Sequence, residues 1–346
     1  MGFLGALLFP FTIIYSSVTK FRNYLFDIGF KRSFEFDANV IGVGNLSVGG
    51  TGKSPMVEYL IKLLADNYKI ATLSRGYGRK TKGFRIANDN DSASSIGDEP
   101  YQFYNKFKDI DVTVGEERAI AIPHILAELE SDVILMDDAF QHRYVKPGLN
   151  IMLTDYSRPF YSDFVLPTGR LRESRDGAQR ADIIVVTKCK EDITEQEMDA
   201  IEKEVSAYAP NAQVCFTSIK YLSPKPVFDN EQFSDNILLF SGIANNKPLI
   251  EHVSTHYQIM DEFYFADHHA YSTKDMNGLE ERFRRMPIAD KCLLTTEKDM
   301  VKLLDPALES TVHHLPIFYI PIETYFVRGG KIFDEMVLNS IKQYSE

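Results

Sequence analysis

Eight consecutive residues, Ser47-Val48-Gly49-Gly50-Thr51-Gly52-Lys53-Ser54, have the types needed to hold a polyphosphate. Glycines and small residues let backbone N–H groups converge on phosphate oxygens, a lysine places charge at the β- and γ-phosphates, and an adjacent hydroxyl takes Mg2+. Such loops usually begin with Gly, and this one begins with Ser47. Further on, four apolar residues, Val133 to Met136, end in Asp137-Asp138. That is the arrangement in which a carboxylate acts on the metal directly or through water. Gln141, His142 and Arg143 follow and would face the same crevice, although His142 on its own would more often be a structural histidine.

Other groups suit an acceptor. Asp98-Glu99 precedes Pro100. Asp98 could take a proton or help bind a metal, and either acid could instead cap the helix that Pro100 opens. Asp267-His268-His269 sits among aromatics; adjacent histidines on a strand point to opposite faces, so acid–base work suits them better than shared metal binding. Two basic loops suit a phosphorylated substrate. One is Ser74 to Arg79, with Tyr77 and Arg79, extended by Lys80, Lys82 and Arg85. The other is Leu166 to Glu173, with Arg170, Arg172, Arg175 and Arg180 in or near it. Solvated surface charge is the alternative for the first loop.

These groups need a scaffold, and the hydrophobic pattern supplies one. Val40, Ile41 and Val43 form a buried strand before the glycine-rich loop, and Met56, Tyr59, Leu60, Leu63 and Leu64 have helical spacing after it. Ile70–Leu73, Val133–Met136, Leu149–Asp155 and Ala181–Thr187 add strands, alternating with helices. That alternation predicts a doubly wound parallel sheet of the P-loop NTPase type, with the ligand crevice at the strands' C-terminal ends. After a proline-bearing linker at Tyr221–Val227 come strands at Asn236–Phe240 and Leu293–Asp299, one at Ile317–Ile322, and a helix around Phe333–Ile341. The expected division is an N-terminal helical segment (1–34), a phosphate-loop domain (35–220) and a smaller α/β domain (221–346), with the last helix able to pack back on the first domain.

A chain of 346 residues can hold two such domains. A net charge of −11 argues against general nucleic-acid binding, so an anionic substrate must meet local arginines. Cys189, Cys215 and Cys292 are isolated and fit neither a disulfide framework nor a zinc site. Phe3 to Val18 carries no charge and is short of the about 20 apolar residues of a spanning helix. Followed by Lys20, Arg22, Lys31 and Arg32 among aromatics, it suits a helix lying in the cytoplasmic membrane interface. A buried core helix is the alternative.

The assembled motifs resemble the tetraacyldisaccharide 4′-kinases, the lipid A 4′-kinases of Gram-negative envelopes. The resemblance runs almost end to end: the apolar N-terminus, GNLSVGGTGKSP, SRGYGR, GDEP, DDAFQH, the Gly-Arg-Leu-Arg-Glu loop, SGIAN, FADHHAYS and TTEKDMVK. The family shares the non-Gly position of Ser47, usually has Gly at Ala139 and often Thr at Ser54. The resemblance implies transfer of the ATP γ-phosphoryl group to the 4′-hydroxyl of an acylated glucosamine disaccharide 1-phosphate, at the cytoplasmic face of the inner membrane. It implies Asp98 as base with His268 as partner, Lys53 and Ser54 on phosphates and Mg2+, and Asp137, Asp138 and Glu173 as metal-handling carboxylates. Tyr77, His142 and Arg172 fall in its substrate- or phosphate-contacting motifs. A P-loop switch or chaperone ATPase or GTPase is the alternative; it would turn over without an acceptor.

Overall fold

The structure, a computed structural model, describes residues 3–228 and 232–342. The strands are β1 (Asn39–Asn45), β2 (Ile70–Ser74), β3 (Arg85–Ile86), β4 (Asp111–Val114), β5 (Val133–Met136), β6 (Leu149–Asp155), β7 (Ile183–Thr187), β8 (Gln213–Tyr221), β9 (Lys225–Pro226), β10 (Asn236–Ser241), β11 (Gln258–Tyr264), β12 (Cys292–Thr296), β13 (Ile317–Ile320) and β14 (Ile322–Arg328). The helices are α1 (Phe3–Asp27), α2 (Lys53–Leu64), α3 (Ala93–Ile96), α4 (Asp98–Lys106), α5 (Arg118–Glu128), α6 (Glu195–Ser206), α7 (Lys247–His256), α8 (Thr273–Arg285), α9 (Glu297–Leu303), α10 (Glu309–Val312) and α11 (Gly330–Ser340).

Two sheets result. The larger runs β14-β8-β7-β6-β1-β5-β2-β4-β3, parallel from β8 to β4 and antiparallel at both edges. The smaller runs β11-β10-β12-β13-β9, with only β9 antiparallel. Because β1 lies between β5 and β6, the loops leaving β1 and β5 emerge side by side. The glycine-rich loop and the Asp137-Asp138 turn therefore meet at the C-terminal edge, where such sheets bind ligands. Every residue of β1 is buried, as expected of a central parallel strand covered on both faces. Met56, Leu60 and Leu64 of α2 lock that helix onto the sheet; burying each contributes roughly 1.5–3 kcal/mol.

Two segments differ from the sequence expectation. Ile317–Ile322 reads as one strand, but Pro321, which lacks an N–H, separates β13 of the small sheet from β14 of the large one. The chain thus returns to the first sheet, and Phe333 and Val337 of α11 join the core around α2. Leu293–Asp299 reads as a strand into a charged turn, but β12 stops at Thr296. The Thr296 side chain accepts the Asp299 N–H at 3.1 Å and starts α9.

Candidate active site

The glycine-rich loop ends at Gly52, in the left-handed region, and α2 begins at Lys53 with no side chain capping it. Its first N–H groups are left to an anion, as at other phosphate-binding helix ends. The loop is braced from several sides. Asn45 donates to the Ser47 carbonyl at 2.8 Å and to Thr51 Oγ1 at 2.7 Å; Thr187 Oγ1 donates to the Thr51 carbonyl at 2.9 Å. Lys188 Nζ donates to the Gly50 carbonyl. Val48 N–H donates to the Arg170 carbonyl at 2.8 Å, and Arg172 N–H to the Leu46 carbonyl at 2.7 Å. The Leu166–Glu173 loop is thereby stitched to the phosphate loop.

That stitching sets the charges. Lys53 Nζ lies 3.4 Å from Asp138 Oδ1, and Arg172 Nη1 3.0 Å from Asp138 Oδ2. Burial works against the Asp138 charge, but Lys53 and Arg172 outweigh it and hold the carboxyl below its usual range. Asp138 has a positive φ of 46°, a conformation Asp tolerates better than most residues. Close approach makes Gly44 necessary here: a Cβ would stand 2.6 Å from the Phe140 N at the Asp137-Asp138 turn. Asp137 is buried, its Oδ1 unpartnered. Burial pushes its carboxyl up to about 7, with Asp138 and Glu99 adding to the rise and Lys53 opposing it.

A carboxyl raised in this way favours the protonated folded state. Its contribution to stability is complete below about pH 4 and is lost as pH rises through about 7, reaching at most about 4 kcal/mol. Without metal or nucleotide, Asp137→Asn is therefore expected to melt above the parent at pH 8, by less at pH 5, and to match it only near pH 3.5, by scanning calorimetry. Melting temperatures that stay equal from pH 3.5 to pH 8 would remove the unpaired charge from Asp137.

Glu173, the third of the expected metal-handling carboxylates, is held by protein donors. Its buried carboxylate accepts from Arg180 at 2.8 Å, Asn23 at 2.5 Å and Gln141 at 3.3 Å. With three of its about four acceptor sites used, it orients the loop and α1. Among the described residues, no three Asp, Glu, His or Cys side chains converge on a metal position. Arg79 also departs from expectation: its guanidinium is buried and holds Glu116 at 2.6 Å and the Gly83 carbonyl, bracing the basic loop from inside. Tyr77 instead is exposed at the cleft. His142 is half-buried and pushed down to about 4, first by burial and then by Arg118, Arg22 and Arg75, so it is neutral near pH 7.

The second sheet closes the other side. Gly97 and Gly76 touch, since a Cβ on Gly97 would meet Gly76 Cα at 3.0 Å, and this seats the basic loop against the start of α4. Asp98 is the first residue of α4; Gly97 stands at the cap position and no side chain caps the helix, so the capping role is not taken. Asp98 Oδ2 lies 3.9 Å from His268 Nδ1 and 3.7 Å from Lys302 Nζ. The two histidines lie in a turn after β11, not in a strand, and His268 has a φ of 57°. His268 faces Asp98 and Tyr77, with ring centroids 5.9 Å apart for the latter. His269 turns away, 3.2 Å from Asp275 and stacked on Phe265. Lys106 of α4 joins Glu58 of α2 at 2.7 Å to Glu297 of α9 at 2.8 Å, tying the phosphate-loop helix to both.

The tetraacyldisaccharide-1-P 4′-kinase family, LpxK, matches this sequence over residues 4–342. The chain belongs to that family. A tetraacyldisaccharide 4′-kinase of Flavobacterium psychrophilum is 43% identical over 349 residues, covering 99% of this chain and 98% of that one. The protein of that name from Bacteroides thetaiotaomicron is 44% identical over 354 residues, covering 97% and 93%. The crystal structure of LpxK from Aquifex aeolicus in complex with ATP is 28% identical and superposes with a TM-score of 0.76, over 98% of this chain and 100% of that chain.

Within this LpxK fold, sequence reasoning passed over Arg118. It is buried at the start of α5 and donates to the Asp137 carbonyl at 3.2 Å. Its position after β4, at the sheet's ligand edge, was the available signal. Asn45, which ends β1, and the lysines of α9 were passed over too.

Proposed function

We propose that this chain transfers the γ-phosphoryl group of ATP to the 4′-hydroxyl of a tetraacyl glucosamine disaccharide 1-phosphate, giving the 1,4′-bisphosphate of lipid A synthesis. The chain is a kinase, the activity its family carries. The observation that carries the acceptor reading is the Asp98–His268 pair beside the open phosphate loop. A switch ATPase needs the loop and has no use for a carboxylate and imidazole aimed across it.

Backbone N–H groups of the Ser47–Gly52 loop would hold the phosphates, and Lys53 and Arg172 would meet the γ-phosphoryl oxygens. The unpartnered Asp137 Oδ1 fits a cation, and Ser54 at the start of α2 would hold Mg2+ with it. When bound, that ion neutralises charge between the β- and γ-phosphates. Asp138 orients Lys53 and Arg172. Asp98 would accept the proton of the sugar hydroxyl with His268 as its partner, while Tyr77 and His142 line the acceptor side. Full-length protein given ATP, Mg2+ and the disaccharide 1-phosphate should release ADP in step with a lipid product heavier by one phosphate. ADP release at the same rate without acceptor would favour the switch reading.

The acceptor's acyl chains reach the cleft from the cytoplasmic leaflet of the inner membrane, along α1. No described helix is long and apolar enough to cross a membrane. On α1, Leu7, Phe11, Ile14, Val18 and Phe21 recur at helical spacing and are each at least 60% exposed. Such a stripe suits the membrane interface. The other face docks: Thr12 bonds Thr168 at 2.5 Å, and Arg22 reaches the Gln141 carbonyl at 3.1 Å. Replacing Phe11, Ile14 and Val18 by Ser should cut co-sedimentation with anionic vesicles at least about tenfold without lowering the melting temperature. Unchanged partition with a lowered melting temperature would favour the core-helix alternative.

A further inference from the structure

An imidazole that partners a carboxylate must present a protonated nitrogen to it, and which nitrogen is protonated depends on what the other one meets. In His268 the other nitrogen meets α9. Lys298 Nζ lies 3.2 Å from His268 Nε2. An ammonium has donors and no acceptor, so Nε2 must accept, and the neutral ring then carries its proton on Nδ1. Nδ1 is the nitrogen that faces Asp98 Oδ2 at 3.9 Å.

One group competes. Asp267 Oδ2 lies 3.9 Å from the same Nε2 and would favour a proton there. That distance is too long for a hydrogen bond, as is the equal distance from Nδ1 to Asp98, so of these three groups Lys298 alone is within bonding reach of the ring. Asp267 Oδ1 is already engaged by the His268 backbone N–H at 3.0 Å, and lies 3.8 Å from Lys298. Lys298 therefore wins. One turn further along α9, Lys302 is buried, 3.4 Å from Asp299 Oδ1 and 3.7 Å from Asp98 Oδ2. Asp299 is fixed in turn by the Gly242 N–H at 3.0 Å and Thr296 Oγ1 at 2.8 Å. A single helix thus reaches both members of the pair.

We propose that Lys298 is a positioning residue that sets the tautomer of His268, turning Nδ1–H toward Asp98. The proposal rests on the acid–base reading of Asp98 and His268 given above. With Nδ1–H directed at it, the Asp98 carboxylate keeps one oxygen for the ring as the cleft closes and offers the other to the acceptor hydroxyl. In the opposite tautomer a lone pair on Nδ1 would face the carboxylate and push it away.

Lys298 is partly exposed and belongs to no hydrophobic core, so Lys298→Met is expected to fold. The readout is the ring-nitrogen spectrum of 15N-histidine-labelled full-length protein at about pH 8.5, where a free imidazole is neutral. His268 signals are assigned by their loss in His268→Gln. The parent should show Nδ1 protonated, and Lys298→Met should show the proton moved to Nε2. In kinetics, Lys298→Met should lower kcat about tenfold at unchanged KM for ATP, with Lys298→Arg recovering most of the loss. Added to His268→Ala, it should cost nothing further. A parent spectrum with Nε2 protonated would overturn the proposal, as would the same tenfold loss in the His268→Ala background. A parental kcat for His268→Ala would overturn the acid–base reading and the kinetic consequence drawn from it, while the spectra still decide whether Lys298 sets the tautomer.

Discussion

Lys53→Ala is expected to lower kcat by at least about a hundredfold, close to 3 kcal/mol of transition-state stabilisation. The reason lies in how the charge is held before nucleotide arrives. Lys53 extends from the first residue of α2, is mostly buried, and rests 3.4 Å from Asp138. Asp138 has a second partner in Arg172, so Lys53 can turn to the phosphates without stranding the carboxylate. As the γ-phosphoryl group moves, negative charge spreads over its oxygens, and a fixed ammonium there gains more in the transition state than in the ground state. The loss should fall mainly on kcat, with a smaller rise in KM for ATP, because the loop's N–H groups still bind the phosphates. Steady-state kinetics with both substrates checks this, and a variant within threefold of the parent would exclude Lys53 from phosphoryl transfer.

The parts of this site that were legible in the sequence are those in which contact follows chain order. Strand, glycine-rich loop and helix are contiguous from Asn39 to Leu64, so local pattern was enough. The Asp137-Asp138 turn was readable because a strand end is visible in its apolar run. What could not be read were contacts between distant segments. Arg79 looks like free surface charge until Glu116 appears beside it. Nothing near Glu173 in the sequence shows that it holds Asn23, Gln141 and Arg180. Arg118 sits in a charged stretch that resembles solvent-facing sequence, and only folding shows it buried under Asp137. The two histidines differ in role because one turn residue has a positive φ, which composition does not reveal. The resemblance between families supplied Asp98 and His268 as a pair; their 3.9 Å separation is a property of the fold alone.

The strongest test of that pair is a double-mutant cycle. A sugar hydroxyl is a poor nucleophile, and its proton must leave during or after attack. On the proposed reading Asp137 takes the cation, while Asp138 faces Lys53 and Arg172 and Glu173 faces Arg180, which leaves Asp98 as the carboxylate open to the cleft. Asp98→Asn keeps the shape and removes the basicity. It should lower kcat by about two to four orders of magnitude with little change in KM for ATP. His268→Ala should lower kcat less, since the carboxylate remains. The double variant should lose less than the product of the two single losses, because either change alone already disables the unit. Asp98→Asn removes the Lys302 ion pair, but Lys106 of α4 and Glu297 of α9, 2.8 Å apart, still bridge the two helices. Fully multiplicative losses would mean that Asp98 and His268 act independently. A large rise in KM for ATP in Asp98→Asn alone would instead place Asp98 on the nucleotide side of the cleft, with the phosphates and not with the acceptor.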